Sequence, residues 1–238
     1  MRIAILSDIH GNGTALKAVL EEAKGHGVEE LFILGDTVGY YYDIVEILQM
    51  LSSWKTVIIK GNHEGMLERA HKEPAYLPEL TEWLGHSYAL ALWNLEENQL
   101  YHLFGLPQER YEEREGIRFA LFHGAPWDPI RYLYPDGKED LFDRCGEVDA
   151  DVVLLGHTHR PLISIRGEKL ILNPGSVGQA RNRGGVAHWM LYDTDNRVVT
   201  PQETPYDIGL VLEQIKRNDP ENVLLRDALF KTPRREPL

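Results

Sequence analysis

The chain contains a single cysteine, Cys145, which excludes an intramolecular disulfide and fits a reducing compartment. It stands in Asp143-Arg144-Cys145-Gly146, where a small residue closing a helix is expected rather than a nucleophile. Long apolar runs are also missing. No stretch approaches the roughly 20 residues that a membrane span needs, and Met1-Arg2 leads at once into a short apolar segment with no secretory leader pattern. The expectation is a cytoplasmic protein without a membrane partner, and the Asn12-Gly13-Thr14 sequon then carries no meaning. Cations are scarce: 25 Lys and Arg against 37 Asp and Glu, a formal charge of -12. That balance excludes a broad grip on duplex nucleic acid, which needs clustered Lys and Arg. It leaves room for a small anionic substrate at a metal centre, whose ions dominate their local field. No repeat, low-complexity run or linker interrupts the 238 residues, so one domain over 1–238 is expected.

What is present is an alternation of short apolar strands and amphipathic helices. Ile3-Ala4-Ile5-Leu6 reads as a strand buried on both faces, running into Ser7-Asp8-Ile9-His10-Gly11-Asn12. Strand side chains alternate with period two, so Asp8 and His10 are expected on the same side of the strand end. Ala15, Leu16, Val19, Leu20 and Ala23 fall at helical spacing. Leu31–Leu34 is a second strand ending in Gly35-Asp36. A helix over Ile44–Leu51 follows, then a third strand, Thr56–Ile59, ending in Gly61-Asn62-His63-Glu64. Three such units indicate a mainly parallel sheet, whose functional groups gather at the carboxyl ends of the strands.

A helical insertion is expected near 64–98, divided by Pro74 and Pro78, with Leu80, Trp83, Leu84, Tyr88, Leu92 and Leu95 on its apolar face. Tyr101–Leu106, Arg110–Arg114 and Ile117–Phe122 read as strands, the last ending in His123-Gly124. A long loop, Ala125 to Lys138, carries Trp127, Tyr132, Tyr134 and three prolines, a length that usually serves a site. A helix near 139–147 precedes the strand Asp151–Leu155, which ends in Gly156-His157-Thr158-His159. Leu172-Asn173-Pro174-Gly175-Ser176 is a further strand-to-turn junction. Val186–Tyr192 pairs with Arg197–Glu203 around Asp195-Asn196. The end holds a helix from about 207 to 217, an amphipathic stretch over Asn222–Phe230 and a basic tail, Lys231 to Arg235, read as a frayed terminus.

Strand ends therefore deliver Asp8 and His10, Asp36, Asn62 and His63, His123, and His157 and His159, five of the ten histidines among them. Each motif alone fits a capping or polar loop residue. Together they form a set of oxygen and nitrogen donors too large for one catalytic ion and suited to two. Without thiolate, these donors suit Mn, Fe, Zn, Ni or Co more than Ca or Mg. Two divalent ions against Asp8 and Asp36 leave a positive surplus that attracts a phosphate ester. A dinucleotide-binding reading of Gly11-Asn12-Gly13 fails where Leu16 replaces the third glycine, and it leaves the histidines unexplained.

The order D-x-H, G-D, G-N-H-E, H-G and G-H-T-H resembles the calcineurin-like metallophosphoesterase superfamily. Asp-Ile-His-Gly-Asn from Asp8 and Asn-Pro-Gly-Ser-Val-Gly-Gln from Asn173 are similar to its small bacterial and archaeal phosphodiesterase branch. The resemblance implies an α/β fold, a four-layer α/β/β/α sandwich with mixed, largely parallel sheets. It implies two divalent metal ions, Mn foremost, one held by Asp8, His10, Asp36 and His159, the other by Asp36, Asn62, His123 and His157, with Asp36 bridging. His63 would then face the substrate, protonating the leaving oxygen or stabilising the developing charge.

The implied reaction is phosphodiester hydrolysis by in-line attack of a metal-bridging hydroxide. The alternatives are a phosphomonoesterase, a nucleotide or protein phosphatase, or a non-catalytic scaffold of the same fold, as in the retromer scaffolding subunit. Protein phosphatases and diadenosine tetraphosphatases carry Asp-Arg-Gly after the G-D acid, whereas this chain has Thr37-Val38-Gly39-Tyr40. Arg181 or Arg183 is the candidate replacement for that arginine. Tyr40, Tyr41, Trp127, Tyr132 and Tyr134 are candidates to stack on a planar leaving group.

Overall fold

The computed structural model describes residues 1–232. The part of the basic tail beyond Thr232 lies outside the described residues.

Two five-stranded sheets carry the fold. The first has the order β10-β9-β1-β2-β3, from β1 (Arg2–Leu6), β2 (Glu30–Ile33), β3 (Thr56–Ile58), β9 (Val186–Asp193) and β10 (Val198–Pro205). β1, β2 and β3 pair in parallel, while β9 and β10 add an antiparallel flank. The second has the order β4-β5-β6-β8-β7, from β4 (Glu109–Arg114), β5 (Ile117–Phe122), β6 (Val152–Leu154), β7 (Pro161–Arg166) and β8 (Lys169–Pro174). Its centre, β5, β6 and β8, is parallel and its edges are antiparallel.

The layering follows from the pleat. On β1, Ala4 and Leu6 face an outer core with the helices, whereas Ile3 and Ile5 face the second sheet. On β5, Phe119 and Leu121 meet them from the other side, and Ala120 and Phe122 face outward. Phe32 and Phe119 meet edge to face across the inter-sheet core, ring centroids 5.4 Å apart, a contact adding about 0.5–1.5 kcal/mol to the burial of the two rings. Strands buried on both faces have no polar side to show, which is why they read as continuous apolar runs.

The outer layer on the first sheet is α1 (Gly13–Gly25), α2 (Ile44–Leu51), α3 (Asn62–Lys72), α4 (Leu77–Leu84), α5 (Ser87–Asn94) and α6 (Glu97–Phe104). The fourth layer is α7 (Glu139–Gly146) with the 125–138 loop. α8 (Ile208–Asn218) and α9 (Val223–Ala228) pack on Tyr41. The architecture is the α/β/β/α sandwich expected from the sequence.

One expected strand is a helix. Tyr101–Leu106 belongs mostly to α6, which starts on a capping box between Glu96 and Gln99 and buries Leu100 and Leu103 on one face. The aromatic and apolar content favours a strand locally, but the i, i+3 spacing against the helical layer wins. Cys145 is fully buried near the end of α7, where burial pushes its thiol up to about 12; it is a packing residue, as its context suggests.

Candidate metal centre

The loops after β1 and β2 are zipped together by their backbones. The Asp8 N–H donates to the Gly35 carbonyl (3.1 Å), that of His10 to Asp36 (2.9 Å) and that of Gly11 to Thr37 (2.8 Å). β1 has already ended at Leu6, so strand alternation does not bring Asp8 and His10 together. Asp8, His10, Asp36, His157 and His159 all adopt left-handed backbone, φ between 51° and 67°, a conformation costing roughly 1–2 kcal/mol for a residue with a Cβ. Glycine would relieve that cost but would remove the donor. Strain concentrated on donor-bearing residues is a mark of a functional site.

Each carboxylate divides its oxygens between scaffold and site. Asp8 Oδ2 accepts from Ser7 Oγ (2.5 Å) and the His157 N–H (3.0 Å), while Oδ1 is buried without a hydrogen-bond partner. Asp36 Oδ1 accepts the His63 N–H at 2.8 Å. Its Oδ2 lies 3.2 Å from His123 Nε2 and 3.9 Å from both His10 Nε2 and His63 Nε2. Gly61 lets this happen, because a Cβ there would stand 2.1 Å from Asp36 Oδ1.

The imidazoles are divided in the same way. His10 Nδ1 faces the Val38 carbonyl (3.2 Å), His159 Nδ1 that of Gln179 (2.7 Å), His123 Nδ1 that of Leu34 (2.7 Å) and His157 Nε2 that of Ile130 (3.1 Å). A carbonyl only accepts, so these contacts assign the ring hydrogens to those nitrogens and leave the opposite nitrogens as lone pairs. Those lone pairs converge. His10 Nε2 and His159 Nε2 are 2.9 Å apart, and His123 Nε2 lies 3.1 Å from His157 Nδ1 and 3.0 Å from Asn62 Oδ1.

Ligand atoms thus gather in three overlapping groups, Asp8 with His10 and His159, Asp36 with His123 and His157, and, linking them, His10 with Asp36 and His63. Such an arrangement is repulsive unless a cation sits between the groups, so the residues fit divalent ions. Burial lowers His157 to about 4 and also lowers His159, keeping both rings neutral as ligands require. Burial lowers His123 too, but the Asp36 carboxylate overrides it and raises this ring to about 10. A proton there answers the same surplus of acceptors that a metal would. Burial alone would raise Asp36, yet its imidazole neighbours, His123 first, hold it well below the usual carboxylate range.

His63 opens α3 on the far side of Asp36. Tyr88 Oη lies 2.6 Å from His63 Nδ1, and burial depresses His63 to about 3. The Tyr88 hydroxyl, which also lies 3.5 Å from Met66 Sδ, can donate to Nδ1 or accept from it, and the opposite nitrogen, Nε2, faces the Asp36 carboxylate at 3.9 Å. Gly39 makes room, since a Cβ there would meet His63 Nδ1 at 2.2 Å.

Two residues with a part in this site have no assigned role in the sequence reading. Glu64 is fully buried and accepts from the backbones of Asp36 (2.9 Å), Thr37 (2.6 Å) and Gly61 (2.8 Å), and from Thr37 Oγ1 (2.7 Å). It clamps the loops carrying Asp36 and Asn62, and its place at the third position of α3, where a Glu reaches back to the N-cap Gly61 N–H, is the sequence signal that points to it. Tyr88 carries no such signal, because it lies on the apolar face of a helix.

At the mouth, Tyr132 stacks on His157, ring centroids 3.9 Å apart, and Tyr134 stacks on Tyr132 at 5.4 Å. Arg181 lies over Tyr132 (5.7 Å) and within 3.4 Å of the Tyr134 hydroxyl. Tyr40 stands edge-on to His10 at 4.6 Å. Arg183 instead pairs with Glu203 at 3.1 Å. Trp127 is half-buried against the cluster under α7 with Arg144 over its ring, and Tyr41 is buried beneath α8 and α9. Of these three, Tyr41 has no face open to a substrate. A cavity of about 330 Å³ opens beside Asn62, lined also by Lys60, Gly61, Pro129 and Ile130.

The family model for the calcineurin-like phosphoesterase superfamily domain matches residues 1–197. An uncharacterised protein of Methanocaldococcus jannaschii is 29% identical, over 91% of this chain and 92% of its own. The phosphodiesterase YfcE of Escherichia coli is 25% identical, over 84% and 90%. Among solved structures, a metallophosphoesterase from Sphaerobacter thermophilus superposes with a TM-score of 0.76 at 25% identity, covering 96% of this chain and 98% of its own.

Proposed function

The chain belongs to the calcineurin-like phosphoesterase superfamily and is a phosphoester hydrolase, and on that premise we propose that it is a dinuclear, metal-dependent phosphodiesterase. The observation that carries this reading is the convergence of imidazole nitrogens and carboxylate oxygens in groups around Asp8 and Asp36, with His10 close to both carboxylates. One ion would be held by Asp8, His10, Asp36 and His159, and a second by Asp36, Asn62, His123 and His157. Manganese is taken first, as the family resemblance implies, and Fe, Zn, Ni or Co equally suit these imidazole, carboxylate and amide donors. When bound, the ions supply an acidified water and neutralise charge on the phosphoryl oxygens.

The chain's own side chains orient the ester. His63 presents its Nε2 hydrogen to the phosphoryl or leaving oxygen, in the tautomer in which Tyr88 donates to Nδ1. A neutral ring donating a hydrogen bond suits charge stabilisation better than proton delivery. Asn62, at the start of α3, uses its amide between His123 and the cavity beside it. Arg181 supplies the cation that Thr37–Tyr40 does not, aimed by Tyr132 and Tyr134. The name of the Escherichia coli relative favours a diester over a monoester substrate.

The reading extends to a single domain over the whole chain, in which α3–α6 share the outer core of the first sheet, and to a cytoplasmic location. No helix among the described residues is long and apolar enough to cross a membrane. The deciding experiment compares turnover of bis(p-nitrophenyl) phosphate with that of p-nitrophenyl phosphate across divalent metals, with a chelated control. Faster metal-dependent hydrolysis of the diester supports the reading. Preference for the monoester would make the protein a phosphatase, and no hydrolysis of either would leave a metal-binding scaffold.

A further inference from the structure

We propose that the cavity beside Asn62 is the subsite for one arm of the diester, the arm that stays on phosphorus, and that Gly65 keeps it open. The proposal rests on the phosphodiesterase reading and names the substrate class: diesters whose retained arm is an uncharged, ring-bearing group, aryl or nucleoside. Water adds to phosphorus, the other arm leaves as its alcohol, and the product in the cavity is a monoester.

The first observation is position. Three residues of the cavity wall also touch the ligand cluster. Asn62 Oδ1 lies 3.0 Å from His123 Nε2, the Ile130 carbonyl faces His157 Nε2 at 3.1 Å, and Gly61 packs against Asp36. The cavity and the cluster therefore share a wall. His63 groups instead with His10 and Asp36. The two ester oxygens of one phosphorus diverge, so an ester whose leaving oxygen faces His63 turns its second arm toward Asn62. The mouth offers that arm less, because Tyr132 already has His157 and Tyr134 as stacking partners, at 3.9 and 5.4 Å.

The second observation is Gly65, the fourth of the eleven residues of α3. The other glycines within helices, Gly13, Gly25, Gly146 and Gly209, stand in the first two positions or the last. Inside a helix glycine is the least favourable residue after proline, so its presence needs a reason. Gly65 has no left-handed backbone, and a Cβ there would meet nothing within 4 Å outside its own stretch of helix. Neither conformation nor packing demands the glycine. It stands in the cavity wall, and what it keeps open is room for a ligand to lie against the helix. The wall also sets the charge of the occupant. The Lys60 ammonium donates to Glu68 and to the Phe104 carbonyl (3.0 Å), so the one cation and the one carboxylate of the wall cancel. A second phosphate finds no free cation there, whereas an uncharged group fits. Pro129 and Ile130 give it apolar cover, and the amides of Asn62 and Gln108 give it hydrogen bonds. A volume of about 330 Å³ stands at the lower end for small-molecule pockets, room for a single ring-bearing group and not for a polymer.

The test keeps the leaving group constant and changes the retained arm, using the manganese-loaded full chain. The substrates are methyl p-nitrophenyl phosphate, thymidine 5′-(p-nitrophenyl phosphate) and bis(p-nitrophenyl) phosphate. The first two retain alkyl arms of similar intrinsic reactivity, and kcat/KM should favour the thymidine ester about tenfold or more, the worth of filling such a pocket. Gly65→Leu, which extends a side chain into the cavity, should cut that ratio about tenfold, and Gly65→Ala should cut it less. Metal content and thermal unfolding check that both variants are loaded and folded, and Tm should not fall, because either residue favours the helix over glycine. A Gly65→Leu loss confined to the thymidine ester assigns a nucleoside arm, and one confined to the bis ester an aryl arm. Ratios unchanged in both variants, or an equal loss on all three esters, overturn the subsite. Calorimetry supplies a readout independent of turnover: thymidine 5′-monophosphate or phenyl phosphate should bind more tightly than methyl phosphate, and Gly65→Leu should remove the difference. Diester hydrolysis with no dependence on the retained arm would overturn the subsite alone. The binding difference without hydrolysis of any diester would overturn the diesterase reading and keep the subsite.

Discussion

The two ends of the same strands treat buried charge in opposite ways. At the amino ends, the fully buried Glu30 accepts from Arg114 Nε (2.7 Å) and Nη2 (2.8 Å), with Lys55 at 3.3 Å. The Met1 ammonium likewise finds Thr194 (2.7 Å) and Asp195 (2.9 Å). At the carboxyl ends, Asp8 and Asp36 each leave one oxygen among imidazole lone pairs, and Asp8 Oδ1 has no partner. Burying a carboxylate without compensation costs several kcal/mol. The amino end meets that cost from within the chain. The carboxyl end is completed by something the chain must bind. The difference separates a structural charge from a functional one more sharply than burial does, since both acids are inaccessible.

The largest effect that would break this contrast is expected from Asp36→Asn. Asparagine keeps the shape but loses the charge shared by the two ligand groups, so metal content and diester turnover should vanish together. Metal analysis beside a bis(p-nitrophenyl) phosphate assay checks it. His63→Ala should behave differently, retaining metal while kcat falls about 10²–10³-fold, the cost of losing one donor to the developing charge. A metal-free His63→Ala protein would sink the role assigned to that ring.

At the other pole, Arg114→Ala leaves Glu30 with Lys55 alone, and should cost about 3 kcal/mol of stability in urea unfolding. Turnover per folded molecule should be retained, because Arg114 serves the amino end only. The smallest effect is the acid limb of stability. Burial raises Glu30, but its hydrogen bonds and charge contact with Arg114 outweigh burial and leave it below its ordinary value of 4.5. A depressed carboxyl contributes stability above that value and loses it as the pH falls toward the lowered one. The metal-free protein should therefore lose stability as pH drops below 4.5, and Arg114→Ala should flatten that part of the curve followed by thermal unfolding.

The sequence by itself determined the strands, because residues buried on both faces must be apolar, and it determined the donors, because five strand ends carry Asp, Asn or His in a fixed order. It also offered Arg181 or Arg183 in place of the arginine absent after Asp36. It misread Tyr101–Leu106, whose spacing makes sense only against the helical layer, and it offered Tyr41 as a stacking residue although it is buried.

Only the tertiary structure decided how the donors meet. Asp8 and His10 converge through left-handed turns, not through strand alternation, and each imidazole is aimed by a carbonyl from a distant segment, such as Ile130 for His157. Tyr88 reaches His63 from a helix whose apolar stripe hides it, and Arg181 meets the Tyr134 hydroxyl across 47 positions of the chain. Hydrogen bonds between segments remote in sequence have no local signal, because each partner is chosen by the packing of the whole.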